Sequence, residues 1–252
     1  MKLRNTYHES VFRRRQTVRQ KQAFQYVYCA NNPVRFTDPF GMDVWEINHK
    51  GYVKWIAQND EKDIFYSLNK KNENVASIEF SKGTVENLSS GKVEKTDYQV
   101  LQIRGDEEAK SLFEFVATPE NFGLKAGENV EWSRVITGEA GDMGLNFLTT
   151  SHEDGTEKGL TEFFDKQLNY GYTIRGIDHN HPTNVPYPSG TGGTDGDIPL
   201  IKYMKDKGAN FSKNVIFNTF TPGNKQKYNR YDENFIVPLP EIIIEMPKNK
   251  GK

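Results

Sequence analysis

Two histidines one residue apart, His179 and His181, stand in the run Asp178-His179-Asn180-His181-Pro182, and a Ser/Gly/Thr/Asp-rich stretch follows as far as Asp197. On an extended segment side chains alternate between faces, so both imidazoles address the same side. An aspartate arriving on the next element would complete three protein ligands with a fourth position open, the make-up of a catalytic zinc site. Zinc held in that way acidifies water and supports hydrolysis near neutral pH. A strand-end His-x-His pair also occurs without metal, so the elements around it decide its meaning.

Those elements can be read from Tyr98 onward. Val100-Leu101-Gln102-Ile103 predicts a strand, and Asp106 opens a helix whose Ala109, Leu112, Phe113 and Val116 recur at helical spacing. Asn129 to Gly138 predicts a second strand carrying Glu131. A helix bearing Leu160, Phe163, Phe164 and Leu168 follows, stops near Gly171, and feeds the strand Tyr172 to His179. Asp197-Ile198-Pro199 predicts the start of a third helix, with Leu200, Ile201 and Met204 on its buried side and Gly208 at its end. A hairpin is expected over Asn214 to Tyr231, turning at Thr221-Pro222-Gly223-Asn224. Upstream, from Asp43 to about Gly91, short β-type runs at Val44–Ile47, Tyr52–Ile56, Ile64–Leu68 and Val75–Phe80 read as antiparallel hairpins. The expected fold class is therefore α/β (α+β), a mixed β-sheet with flanking helices, preceded by a β-hairpin-rich segment.

Composition narrows the chemistry. The 252 residues include 33 Lys+Arg and 34 Asp+Glu, a formal net charge of -1, so no global field directs the chain to nucleic acid or to an anionic membrane. The single cysteine, Cys29, excludes an internal disulfide framework and a Cys-rich zinc ribbon, which leaves His and carboxylate side chains as metal ligands. The basic N-terminus lacks the apolar segment of a signal peptide, and no run has the length of a membrane span. His8 in the polar lead, His49 in the turn Asn48-His49-Lys50-Gly51 and His152 in the loop His152-Glu153-Asp154-Gly155 fall outside the His179/His181 pattern, His49 being expected as a solvated turn residue.

Two family resemblances follow from motifs. Tyr26-Val27-Tyr28-Cys29-Ala30-Asn31-Asn32-Pro33 and then Asp38-Pro39-Phe40-Gly41-Met42 resemble the end of the core domain of Rhs (YD-repeat) proteins. In that family a large shell precedes a variable C-terminal toxin, and the chain is cut just after the Asp-Pro-x-Gly-hydrophobic element, so the resemblance implies processing near Met42 and a cargo beyond it. The YD repeats themselves are absent here. Farther on, Glu131 on a strand with Gly138 seven residues later, then a helix, then a strand ending His179-Asn180-His181-Pro182, then Ser189 and an Asp opening a helix, resemble the JAB/JAMM metalloproteases. With the Rhs-like lead, the nearest resemblance is to the JAB-like toxin domains of bacterial polymorphic toxins.

The resemblance implies zinc held by His179, His181 and an aspartate, with Glu131 as general base and Ser189 as donor to the oxyanion. The family's Ser-x-x-Asp is interrupted here, because Gly192 stands where its Asp is expected and Gly190 to Asp197 form an apparent insertion. Asp197, at the expected helix start, is favoured as third ligand over Asp195, with Thr194 able to take the donor role if the insertion displaces it. Asp178 is expected to orient a ligand. The implied organisation is an Rhs core tail over residues 1–42, a β-rich segment over 43–96 and a JAB-like metalloprotease toxin domain over 97–252. The implied partners are a protein or peptide substrate in a target cell, an upstream Rhs shell and a cognate immunity protein, with delivery as cargo of the larger protein. Two other classes fit the letters less well: a nuclease effector, suggested by the contiguous His-Asn-His, and a non-catalytic adaptor or carrier module.

Overall fold

A computed structural model describes residues 43–58, 61–155, 158–223 and 227–238, all within one compact unit, Phe40–Lys252. The Rhs-like turns, His8, Cys29, Asn224 and the Ile242-Ile243-Ile244 segment lie outside the described residues. The fold is mixed α+β, as expected, and among the described residues consists of two sheets with three α-helices against them.

The first sheet has four strands in the order β2-β1-β3-β4, namely β1 Asp43–Asn48, β2 Val53–Gln58, β3 Lys62–Leu68 and β4 Asn74–Ser81. Both expected hairpins are present, β1 with β2 and β3 with β4, but β1 and β3 lie side by side and parallel, so the segment is not a purely antiparallel meander. The second sheet has seven strands in the order β11-β10-β9-β7-β8-β6-β5. These are β5 Val85–Val93, β6 Thr96–Arg104, β7 Ser133–Thr137, β8 Leu145–Thr150, β9 Ile174–Asn180, β10 Phe211–Thr221 and β11 Lys227–Tyr231. Only β9 and β10 run parallel within it. β5 and β6 pair from Val85↔Ile103 to Val93↔Thr96, so the turn at residues 94–95 is a hairpin inside this sheet.

Alternation along the strands divides the core in two. Leu101 and Ile103 of β6 face one way, with Leu148 and Phe220, and bury against helix α1 (Asp106–Ala117) and the inner face of the first sheet, where Trp45, Ile47 and Phe65 are fully or nearly fully covered. Tyr98 and Val100 of the same strand face the other way, with Val135, Phe147 and Ile177, and bury against helices α2 (Lys158–Phe163) and α3 (Asp197–Asp206). Helix α2 starts at Lys158–Phe163 and continues as a π-helical turn over Phe164–Leu168, so the expected helix is present but its second half is underwound. Helix α3 is Asp197–Asp206; Ile198, Ile201 and Met204 are its buried stripe, and Gly208 follows its end at φ +80°.

Candidate metal centre

β9 delivers the histidines. His179 is its penultimate residue and faces the α2/α3 side; His181 follows just beyond the strand end, where its backbone N–H still donates to Phe220 O at 2.9 Å. Their Nε2 atoms are 3.0 Å apart. The first residue of α3 comes in opposite them: Asp197 Oδ1 is 3.1 Å from His179 Nε2, and Oδ2 is 3.4 Å from His181 Nε2. Glu131 completes the group, and one ligand atom from each of Glu131, His179, His181 and Asp197 lies within 4.8 Å of every other. A tetrahedral ion bonded at about 2.0–2.1 Å requires ligand atoms about 3.3 Å apart, so the two imidazoles and the Asp197 carboxylate have the spacing and chemistry of a zinc-binding set. The second nitrogen of His181, Nδ1, is 2.8 Å from Val185 O; a proton on Nδ1 then leaves Nε2 as the lone-pair donor.

Asp197 is fixed in place by a reciprocal clasp. Its backbone N–H donates to Ser189 Oγ at 3.0 Å, and Ser189 N–H donates to Asp197 Oδ2 at 2.6 Å. The insertion between them, residues 190–196, loops out from this neck. Gly196 has φ +113°, and a Cβ there would lie 2.6 Å from Ser189 Oγ; Gly190 has φ +76°, and a Cβ there would lie 2.4 Å from Asp195 O. The neck therefore closes only on glycines. Burial opposes ionisation of Asp197, but the facing imidazoles of His179 and His181 and the Ser189 N–H hold its carboxyl far below the ordinary carboxylate range.

Asp195 is exposed and accepts a hydrogen bond from Gly196 N at 2.9 Å; the four-residue group does not include it. Thr194 is exposed on the same loop, along the cavity wall. Asp178, expected to orient a ligand, instead faces the opposite side of the sheet, as strand alternation requires. It accepts from Arg134 Nε at 2.9 Å and Nη2 at 2.5 Å, and from Asn218 Nδ2 at 2.6 Å. His49 and His152 stay outside the group, and His49 is half-buried in its turn rather than solvated, with Nδ1 covered.

Glu131 lies two residues ahead of β7 rather than within it. Its N–H donates to Glu153 O at 2.7 Å, and its carbonyl accepts from Thr150 Oγ1 at 2.8 Å, so groups outside the β7–β9 ladder replace the expected strand pairing. Asn180 supplies another part of that replacement. It is fully buried, and its carboxamide bonds Trp132 N and Val130 O, which leaves the middle residue of the His-Asn-His run no route to a substrate. Tyr231, which sequence reasoning did not single out, places its buried ring edge-on to His179 with centroids 5.9 Å apart. Burial, reinforced by the negative charges of Asp197, Asp178 and Glu131, raises its hydroxyl pKa well above the ordinary value and keeps it a neutral phenol. A cavity of about 810 Å³ opens over the group, with Tyr187, Leu200, Tyr203 and Phe217 supplying apolar wall and Asp154 and Lys158 supplying charge.

Residues 101–202 match the family model of JAB-like toxin 1. The JAB-like segment runs from β6 into α3 and contains all four members of the group, while the first sheet, β5, β10 and β11 lie outside it. No curated protein and no solved structure matched the chain.

Proposed function

We propose that this chain carries a zinc-dependent hydrolase of peptide or isopeptide bonds, acting as a toxin on a protein of a target cell. The observation that carries this reading is the convergence of Glu131, His179, His181 and Asp197 within 4.8 Å, inside a segment similar to JAB-like toxins. His179, His181 and Asp197 would hold the metal. Zinc there supplies a Lewis acid and lowers the pKa of water toward about 7. Glu131, buried beside the pair, accepts the proton of the attacking water and passes it to the leaving amine. Ser189 Oγ already accepts from Asp197 N, so its own O–H remains to donate to the oxyanion, and Thr194 on the neighbouring loop is the second candidate.

In the same reading the chain is cargo of an Rhs-type shell, freed by a cut after Asp38-Pro39-Phe40-Gly41-Met42 and neutralised in the producing cell by an immunity protein.

The full chain is purified, its zinc measured by elemental analysis, and its hydrolysis followed on a mixed fluorogenic peptide library and on lysine-branched peptides. The expected result is one zinc per chain with cleavage of at least one class. Glu131→Ala should keep zinc and lose most of its hydrolysis, leaving a small residual rate, and His181→Ala should lose both. Wild-type protein that takes up no zinc overturns the proposal.

A further inference from the structure

We infer that Asn180 is the positioning residue that ties Glu131 to the histidine strand; the inference rests on the reading of Glu131 as proton acceptor. The regular β7–β9 ladder begins at Ser133↔His179, and Glu131 lies beyond it. One main-chain bond continues the pairing, from Asn180 N to Trp132 O at 3.1 Å. The Asn180 side chain then takes the place of the next peptide group: Oδ1 accepts from Trp132 N at 2.6 Å, and Nδ2 donates to Val130 O at 3.2 Å. Glu131 is thus bracketed on both sides by one carboxamide, and that carboxamide belongs to the residue between the two histidines. The remaining polar atoms of the two flanking peptide groups go to Glu153 O and Thr150 Oγ1, so the backbone on either side of Glu131 is fully bonded.

Few side chains can do this. The position needs a donor and an acceptor on one planar group of this length, in a site with no solvent access. Aspartate keeps the acceptor but loses the donor to Val130 O, serine is too short to reach both, and leucine satisfies neither. The consequence for catalysis is geometric. Any displacement of β9 moves the histidines and, through Asn180, the Glu131 backbone with them, so the proton acceptor keeps its distance to the imidazoles. A misplacement of about 1 Å at such a centre lowers the rate roughly 100-fold.

The test uses Asn180→Asp and Asn180→Ser in the full chain, each alone and combined with Glu131→Ala. Zinc content and the visible spectrum of the cobalt-substituted protein should match wild type, because no metal ligand has changed. Amide hydrogen exchange at Trp132 should quicken. The kcat on the cleaved library peptides should fall about 10- to 100-fold with KM within about 3-fold. In the Glu131→Ala background the same substitutions should lower the residual rate no further, since a positioning residue acts only through the group it positions. An equal loss in both backgrounds, an unchanged kcat, or loss of the metal overturns the inference, and so does failure of both variants to keep the wild-type circular dichroism. A wild-type chain that binds zinc but cleaves nothing refutes the catalytic reading instead, while the Trp132 exchange still reports whether Asn180 holds that backbone.

Discussion

Ser189 has a structural task at the start of α3, and mutation separates it from the proposed donor role. Its Oγ accepts from Asp197 N, whereas Thr194 stands exposed on the loop. Ser189→Ala should lower the thermal midpoint by an amount corresponding to about 1 kcal/mol, as for loss of a helix-start acceptor, and should also reduce kcat. Thr194→Ala should leave both near wild type; a larger kcat loss at Thr194 would transfer the oxyanion role to it. On the other face of the sheet, Arg134 and Asp178 form a pair with side-chain exposures of 8% and 1%. Removing one member strands a buried charge, so Arg134→Met should cost about 3–5 kcal/mol in urea unfolding. Converting Asp178 to Leu in the same chain should recover part of that loss. Sequence inspection identifies Asp178 as a polar neighbour of the histidines, but its partner lies 44 positions away, and only the register of β7 against β9 brings the two together.

At the level of elements, residue type and spacing disclose those whose burial is one-sided. Helix α1 shows its stripe at Ala109, Leu112, Phe113 and Val116, and α3 shows Ile201 and Met204 behind an aspartate and an early proline, although its third fully buried residue is Ile198 and not the expected Leu200, which is half-buried. The histidine strand is equally plain. β8 is not, because Asn146 to Thr150 are buried on both faces and carry no alternation, and the preceding Gly-Glu-Ala-Gly-Asp-Met-Gly run reads as loop. β5 is hidden for the opposite reason: Glu86-Asn87-Leu88-Ser89-Ser90-Gly91 has little strand character and is held in extended form by pairing with β6. The glycine neck at α3 yields a sharp expectation. Gly196→Ala puts a methyl group 2.6 Å from Ser189 Oγ on a backbone at φ +113°, which should cost on the order of 1–3 kcal/mol and weaken zinc binding by shifting Asp197. Isothermal titration with zinc and a melting curve would measure both.

For the molecule as a whole, the first sheet reports on pH. Asp63 is buried, with Asp43 N–H and Val85 N–H donating to its two oxygens at 3.1 and 2.8 Å. Burial outweighs those bonds and raises its pKa above the ordinary 3.8. The folded chain therefore holds this proton where the unfolded chain has released it, and the Asp63 contribution to stability falls as pH rises from about 3.8 through the raised value. The unfolding free energy of wild type minus that of Asp63→Asn should decline across that window and level off above it; a difference that is flat or grows with pH would contradict the assignment. Zinc should act on the same global equilibrium. Free metal at 100 times Kd should add about 2.7 kcal/mol to the folded state, a gain that a chelator abolishes and that His181→Ala never shows.

The neck between Ser189 and Asp197 also bears on how such a centre tolerates change. Because the two residues clasp each other directly, the residues between them form an appendix whose length is set by nothing at His179, His181 or Asp197. Doubling a flexible loop costs only about 0.6 kcal/mol in closure entropy, so insertions there are nearly free while the clasp and its glycines persist. The appendix carries Thr194 and Asp195 along the cavity wall. One short loop can therefore diversify what the cavity admits without disturbing what it does.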